Sequence, residues 1–540
     1  MNTIKYKKTL KVQEANQQLK PRRFFLIPLV IGFLGFLLIM LATAKFGVGI
    51  SGDSADYILW ARNFIETHSF TKPDGSSLII LPPLYSVLIA VFKLFWINEF
   101  LAVRLINAIS FLFVIFLSGL WILRYLGSLF FAIAGSFLIL FSYPLISVYS
   151  WAWSEPLFIL IVMIFLFLLP TAVSNPTYKI AIILGILTSA ACLTRYVGFV
   201  LLPVGGIVLF FGIKGLSRKL IYTSVWGFAS VIPFGLWLVR NMILSGTPMG
   251  VRFPTTFSLG ENIQMSGGFI GRCFIMQGTN QFISGWFFIS LLTAMTFGTL
   301  IFYFYKLIKT KEVNWAVISA LLYIIFYFAA VVYAATTTSL GSFEDRYLIP
   351  SYPAIVMFMM FIMFALMKWV KTRKRVLHYT ALVGMIAFLG FWLFTGLAYT
   401  NLICKRLSAN GFGFANLSWK NSDTIGWLRA NKLEGIVYTN DIQAGDLLAN
   451  LNAKLLPAKP DFYKNVSENT KNELIERVED FKASIDSGQR VYLVWYANHF
   501  RKYLYDPQEL TQFCNMTLIT RLPDGYIIAL YPKNYSQQIK

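Results

Sequence analysis

The chain has 540 residues, of which 57% are hydrophobic and only 13% charged, and its mean hydropathy is +0.62. That balance excludes a string of soluble domains over most of the length, because runs of about twenty apolar residues, long enough to cross a bilayer, recur from Leu26 to Phe394. The formal net charge is +22, yet the basic residues gather at Lys5 to Arg23, Lys214 to Lys219, Lys306 to Lys311 and Lys368 to Arg375, each beside an apolar run. This positive-inside pattern makes anionic membrane lipids the expected partner and argues against nucleic acid.

Residues 1–23 read as a basic cytoplasmic N-terminus. The polar stretch and the helix after it are too long for a cleavable secretory signal, so the first helix is expected to stay as an anchor. Eleven spans are expected near 24–45, 103–121, 128–148, 156–172, 178–194, 199–213, 221–239, 287–306, 314–334, 350–367 and 378–397. Segment 83–97 decides the topology. It opens with Pro82-Pro83, carries Lys93 in its apolar body and is short for a span. Read as lying along the interface, it leaves all four basic clusters on the inner side. The protein is then a multi-pass component of a plasma (inner) membrane, bacterial or archaeal, with its N-terminus cytoplasmic.

The outer side receives 46–102, 149–155, 195–198, 240–286, 335–349 and everything from 398 onward. The polypeptide divides into a transmembrane domain over 24–397, with an external loop at 46–102, and an extracytoplasmic α/β domain over 398–540. In that tail Gly435–Thr439 and Arg490–Trp495 read as strands, Asn472 to Ile485 as a helix, and Met516–Thr520 with Tyr526–Tyr531 as a hairpin. The chain has four Cys and three His, and no cluster of them has metal-ligand spacing. Cys404 and Cys514 could pair outside the cell, which spacing alone does not establish.

The chemistry-bearing residues crowd the outer segments. Gly52-Asp53-Ser54-Ala55-Asp56-Tyr57 follows the first span, and a helix capped by Ser51 or Asp53 places Asp53, Asp56, Tyr57 and Trp60 along one side. An Asp there can also be only a cap. Glu155 lies in Trp153-Ser154-Glu155-Pro156 and Arg195 in Thr194-Arg195-Tyr196, each between apolar runs where an ionisable group is costly unless it faces a cavity or a partner. Arg62, Arg240, Arg252, Arg272 and Arg346 share that side, and arginine binds phosphate with a planar fork of donors. Carboxylates beside arginines at the mouth of a helix bundle suit transfer from a lipid-phosphate-linked donor: a carboxylate takes the acceptor's proton and guanidinium groups stabilise the leaving phosphate.

Several of these motifs, together with Leu81-Pro82-Pro83-Leu84-Tyr85-Ser86, Leu238-Val239-Arg240-Asn241, Ser245-Gly246-Thr247-Pro248 and Asp345-Arg346-Tyr347-Leu348-Ile349-Pro350, resemble the GT-C glycosyltransferases. The branch most similar comprises the protein mannosyltransferases and aminoarabinose transferases (glycosyltransferase family 39-like), over the membrane part to about residue 400. The resemblance implies a polytopic α-helical membrane protein of GT-C type, with about 11 transmembrane helices, interfacial helices in the first external loop and a C-terminal external α/β domain. It implies an inverting membrane glycosyltransferase with a polyprenyl-phosphate-sugar donor and a glycolipid, glycan or protein acceptor. It further implies Asp53 as base or acceptor-binding group and Arg195, Arg346 and Arg240 as holders of the lipid phosphate. Glu155, Asp56 and Asp345 would bind substrate or a divalent cation, and Tyr57, Tyr196 and Tyr347 would line the cavity, an interfacial aromatic belt being the alternative. Ile80-Leu81 stand where the aminoarabinose pattern has an acid and a lysine, and Asp53 is followed by Ser54 where the mannosyltransferase pattern has two acids. The sugar and acceptor therefore stay open. A transporter or lipid flippase, or a non-catalytic membrane-bound binding protein, is the competing reading; the first would favour ionisable residues in the middle of spans rather than at their ends.

Overall fold

The computed structural model describes residues 24–71, 77–250, 252, 255, 257–274, 281–310, 313–338, 344–373, 375–460, 468–497, 499 and 501–534. The basic N-terminus lies outside the described residues. The membrane part runs α1 (Leu26–Ala42), α2 (Gly52–Thr67), α3 (Leu84–Leu94), α4 (Glu99–Leu126), α5 (Leu129–Leu140), α6 (Tyr143–Tyr149), α7 (Glu155–Ser174) and α8 (Tyr178–Thr194). It continues through α9 (Leu201–Gly212), α10 (Leu216–Ser245), α11 (Leu259–Phe274), α12 (Gln281–Lys309), α13 (Trp315–Thr337), α14 (Tyr352–Lys371) and α15 (Arg375–Asn410).

Seven helices among the described residues are long and apolar enough to cross a bilayer, and α5 with α6 makes an eighth candidate, bent by 50°. The remaining three expected spans coincide with the shorter apolar helices α1, α8 and Tyr196–Gly212. The span expected at 128–148 is thus not one straight helix. Ser142 ends one segment and caps the next, its Oγ accepting from Leu145 N at 3.3 Å, and Pro144 opens the second segment where its missing N–H is harmless. Helix α3 has 11 residues, about 17 Å of rise, too short to span. It buries Tyr85, Ser86, Ile89 and Ala90 and leaves Leu94, Phe95 and Trp96 exposed, as an interfacial helix should.

Helix α11 was not legible as an element. Its glycines weaken helical propensity, but one of them has a packing reason: a Cβ on Gly267 would fall 1.8 Å from the Gly285 carbonyl oxygen of α12. Helix α15 also runs on through the expected boundary at 397/398 to Asn410, because helical hydrogen bonding does not need an apolar surface once the chain leaves the bilayer.

Beyond α15, two short helices, α16 (Leu417–Lys420) and α17 (Asp423–Ala430), lead into β1 (Ile436–Thr439), α18 (Ile442–Ala449), β2 (Lys454–Leu455), α19 (Glu468–Asp486), β3 (Val491–Tyr496), α20 (Pro507–Leu510), β4 (Asn515–Leu522) and β5 (Gly525–Tyr531). The five strands form one sheet in the order β2-β1-β3-β5-β4. β1 pairs parallel with β2 and β3, and the β4–β5 hairpin adds antiparallel. Asp524 in the hairpin turn accepts from Thr424 N at 3.0 Å and Thr424 Oγ1 at 2.6 Å, and also from Ser422 Oγ, which ties the turn to α17. All four cysteines are free: Cys514 is buried in the tail's core and Cys404 lies on α15, so the two do not pair.

The bundle has its own core, built on α4, α5, α7, α8, α9, α13 and α14. A second core crosses from the membrane part into the tail. It joins Ile50, Ala55, Tyr57, Ile58, Tyr85 and Ile106 to Phe414, Ile425, Leu428, Val437, Leu447 and Val494. The α/β unit is therefore packed directly onto α2, the helix that carries Asp53.

Candidate functional site

Four helix ends place the polar groups. Ser51 caps α2, its Oγ accepting from Ser54 N at 3.4 Å, so Asp53 falls in the first turn, where the helix dipole favours a negative charge. Glu155 opens α7 ahead of Pro156 in the same way. Arg195 stands at the carboxyl end of α8, with an extended backbone that separates α8 from the 3₁₀ turn Tyr196–Val200. Arg346 sits in the 3₁₀ turn Asp345–Tyr347 between α13 and α14.

These ends converge. Arg346 Nη1 lies 3.2 Å from Asp53 Oδ2, and its Nε lies 2.9 Å from Glu344 Oε2. Arg195 Nη1 lies 2.7 Å from Glu155 Oε1, and Glu155 is almost wholly buried, with its side chain 2% exposed. Ser154 ties Tyr57 of α2 to the second pair: its Oγ accepts from Tyr57 OH at 3.1 Å and from Arg195 Nη1 at 3.3 Å. Burial opposes charge on Arg346, but Glu155 and Asp53 more than offset it and hold its guanidinium above the ordinary value. Burial pushes the Tyr57 phenol up, and Arg195 offsets that only in part. Tyr57 is therefore a neutral hydrogen-bond donor beneath the cluster.

Asp53 and Glu344 are the accessible carboxylates of the group, each with its side chain 48% exposed. Asp56 lies one turn further along α2, half-buried. Asp345 is turned away from Asp53: both its oxygens take hydrogen bonds from Arg272, Oδ2 from Nε at 2.8 Å and Oδ1 from Nη2. The Tyr347 hydroxyl accepts from Arg346 Nη2 at 3.3 Å, and the Tyr347 carbonyl accepts from Tyr327 OH at 2.9 Å.

Arg240 and Tyr196 belong to a neighbouring clamp. Arg240 Nη1 donates to Leu78 O at 2.6 Å and to Asn241 Oδ1 at 2.9 Å, and its Nη2 donates to Phe70 O at 3.4 Å. Tyr196 OH donates to Ile79 O at 2.6 Å and accepts from Trp237 Nε1 and Asn241 Nδ2. Arg252 Nη2 adds a bond to Ile80 O at 3.0 Å. These side chains hold the strand of loop that enters Pro82-Pro83.

Ser154, Trp153 and Glu344 carry no role on sequence grounds, although Trp153-Ser154 stand in a quoted motif and Glu344 falls in an outward segment, and Arg272 stands out there only as one of the outward arginines, not as the partner of Asp345. Only the pairing of helix ends reveals them. No three His, Cys, Asp or Glu side chains come together in a metal-holding group among the described residues. Asp53 and Glu155 each face a guanidinium instead, a donor set that does not fit a divalent cation.

The basic loops lie at the opposite helix ends. Lys214 lies between α9 and α10 and Lys219 in the first turn of α10, Lys306 and Lys309 are in the last turn of α12, and Lys368 and Lys371 are in the last turn of α14, whose other end follows the turn that carries Arg346.

No family model and no curated protein sequence matches the chain. Its fold does have solved counterparts. ArnT from Cupriavidus metallidurans in the apo state superposes with a TM-score of 0.57 at 15% identity, over 94% of this chain and 97% of that one. The same protein bound to undecaprenyl phosphate gives 0.58, again at 15% identity over 94% and 97%. The oligosaccharyltransferase of Archaeoglobus fulgidus, in complex with Zn and sulfate, gives 0.53 at 13% identity, over 92% of this chain and 72% of that one. With its apolar helices, its interfacial α3 and its small terminal sheet, the chain is a multi-pass membrane protein with the GT-C fold that its motifs resemble.

Proposed function

We propose that the protein is a membrane glycosyltransferase that moves a sugar from a polyprenyl-phosphate-linked donor to a glycolipid, glycan or protein acceptor. The observation that carries this reading is the meeting of Asp53 and Arg346 at 3.2 Å beside the Glu155–Arg195 pair. A half-exposed carboxylate and a fixed guanidinium are the two groups that a direct displacement at an anomeric carbon needs. The acceptor oxygen forms its bond to the anomeric carbon while the bond from that carbon to the phosphate oxygen breaks. Asp53 takes the acceptor's proton, and Arg346 with Arg195 receives the negative charge that appears on the leaving lipid phosphate. One displacement inverts the anomeric centre.

In the absence of substrate the two groups satisfy each other; substrate would part them, the acceptor hydroxyl taking the carboxylate and the phosphate the guanidinium. Arg346 and Arg195 thus supply fixed positive charge, and the mechanism routes no step through a metal. The binding of undecaprenyl phosphate by the structurally similar ArnT supports a donor of that class. The sidedness of the site follows from the positive-inside pattern: the basic loops lie inside and the acid–guanidinium cluster outside.

The test is transfer by the purified full-length protein in lipid nanodiscs, supplied with polyprenyl-phosphate sugars and with envelope glycolipids as acceptors. Asp53→Asn is expected to lower the rate by about 10²–10⁴-fold with folding and insertion intact. Undiminished transfer by that variant would remove Asp53 from the chemistry.

A further inference from the structure

Arg346 is gripped from two directions. Asp53, Glu344 and the Tyr347 hydroxyl hold its nitrogens, whereas Trp153 supports its flat face, with the guanidinium carbon 4.7 Å from the ring centroid. A bound phosphate would compete for the nitrogens. It would leave the ring in place, so the ring sets the plane of the fork in the loaded site.

Trp153 is itself one member of a column. Its Nε1 donates to Ser51 Oγ at 2.8 Å, and its ring stacks on Trp151 at 5.1 Å with 5° between the planes. Trp151 stacks in turn on Phe412 at 5.5 Å and 15°. Phe412 lies in the linker between α15 and the α/β unit, and its position is strongly fixed. Phe412 O accepts from Ile50 N at 3.3 Å, and Phe414 N donates to Ile50 O at 2.8 Å. Gly411 and Gly413 on either side have φ of +66° and +56°, and a Cβ at Gly413 would fall 1.9 Å from Ile50 O. Only glycine can flank the ring in that conformation. Asn107 of α4 completes the support, its Nδ2 donating to Tyr149 O at 2.9 Å and to Trp151 O at 2.7 Å.

We infer that Phe412, acting through Trp151 and Trp153, is a positioning residue for Arg346, so that the root of the C-terminal unit forms part of the machinery of the site. The geometric half of this inference stands by itself; its effect on donor binding rests on the transferase reading above. The column also gives the terminal unit a route to the chemistry: anything that displaces the linker shifts the plate under the guanidinium.

The experiment uses the full-length protein in nanodiscs and the variants Phe412→Leu, which keeps apolar bulk without a flat face, and Phe412→Tyr, which restores one. The rate at which phenylglyoxal modifies Arg346 is read by peptide mass spectrometry, with Arg124, in the last turn of α4, as internal control. Phe412→Leu is expected to speed modification of Arg346 by about three- to tenfold, with Arg124 unchanged, and Phe412→Tyr to return it to the parent rate. In the transfer assay the same leucine variant is expected to lower kcat/KM for the polyprenyl-phosphate sugar by a similar factor, through kcat as well as KM, and the tyrosine variant to restore it. Equal Arg346 reactivity in the parent and the leucine variant overturns the inference, as does a tyrosine variant that fails to restore it. If the parent shows no transfer at all, the transferase reading fails while the modification rates still decide this one.

Discussion

Two sets of arginines approach the same end of the bundle, and they behave differently. Arg195 and Arg346 face carboxylates, Glu155 and Asp53, on helix ends distant in sequence. Arg240 and Arg252 face backbone carbonyls at Phe70, Leu78 and Ile80. A backbone carbonyl is a permanent acceptor that a loop needs satisfied, so an arginine bound to two of them, as Arg240 is to Phe70 O and Leu78 O, works as a clamp. Asp53 is half-exposed and so an exchangeable partner, and the Arg346 guanidinium resting on it remains available to a stronger anion, whereas Glu155 holds Arg195 in a buried pair beside it. The two sets share a residue type and an end of the bundle. The nature of the partner separates them.

That contrast can be broken most forcefully at Arg346. Arg346→Ala is expected to lower transfer by about 10²–10³-fold, and Arg346→Lys to recover only part of it, because a point charge does not reproduce the planar fork. Steady-state transfer kinetics read this out; a lysine variant with full activity would reduce the site's need to simple positive charge. The buried pair comes next. Glu155→Gln leaves the Arg195 guanidinium without its countercharge, and a loss of about 3–5 kcal/mol is expected on thermal unfolding in detergent. Replacing Arg195 by Gln as well should return part of that stability, since the stranded charge is then gone.

On the clamp side the expected effect is smaller and of another kind. Arg240→Ala should cost about 1–3 kcal/mol through the carbonyls it strands, with faster proteolysis of the loop around Phe70 to Ile80. Its effect on transfer should stay well below that of Arg346→Ala. If Arg240→Ala matched it, the separation into clamp and site would be wrong.

The least effect is expected far from both sets. Asp524 is partly buried, which by itself would raise its carboxyl. Its bonds from Ser422 and Thr424 outweigh that and hold it below the usual carboxylate range. Its contribution to stability is thus complete above the unfolded value of about 3.9 and is lost as pH falls through the lower folded value. The stability difference between the parent protein and Asp524→Asn, read by urea unfolding with Trp fluorescence, should be constant above the unfolded carboxylate value and shrink only as pH falls through that acid window.

Much of this architecture was legible beforehand because it rests on local signals. Apolar runs located the spans, Pro82-Pro83 with Lys93 marked α3 as interfacial, and the tail's two buried strands, long helix and hairpin stand where alternation and turn residues put them. Local signals failed where a helix was made of weak formers, as in α11, or where a run of uniform hydropathy concealed the break at Ser142. The site divides in the same way. Asp53, Glu155, Arg195 and Arg346 stood out as ionisable residues next to apolar runs. Arg240 stood out equally, although its fork is spent on the loop.

Hydropathy, period and charge asymmetry act over one helix length, so the order of spans, their grouping of acids and arginines, and the position of the capping residues were determined by the sequence itself. Which guanidinium meets which carboxylate, that Ser154 ties Tyr57 to Arg195, and that Phe412 reaches Arg346 through two tryptophan rings were decided only by the tertiary structure. Those relations join segments tens to hundreds of residues apart, and they depend on how helix ends pack against one another, a quantity that no local pattern encodes.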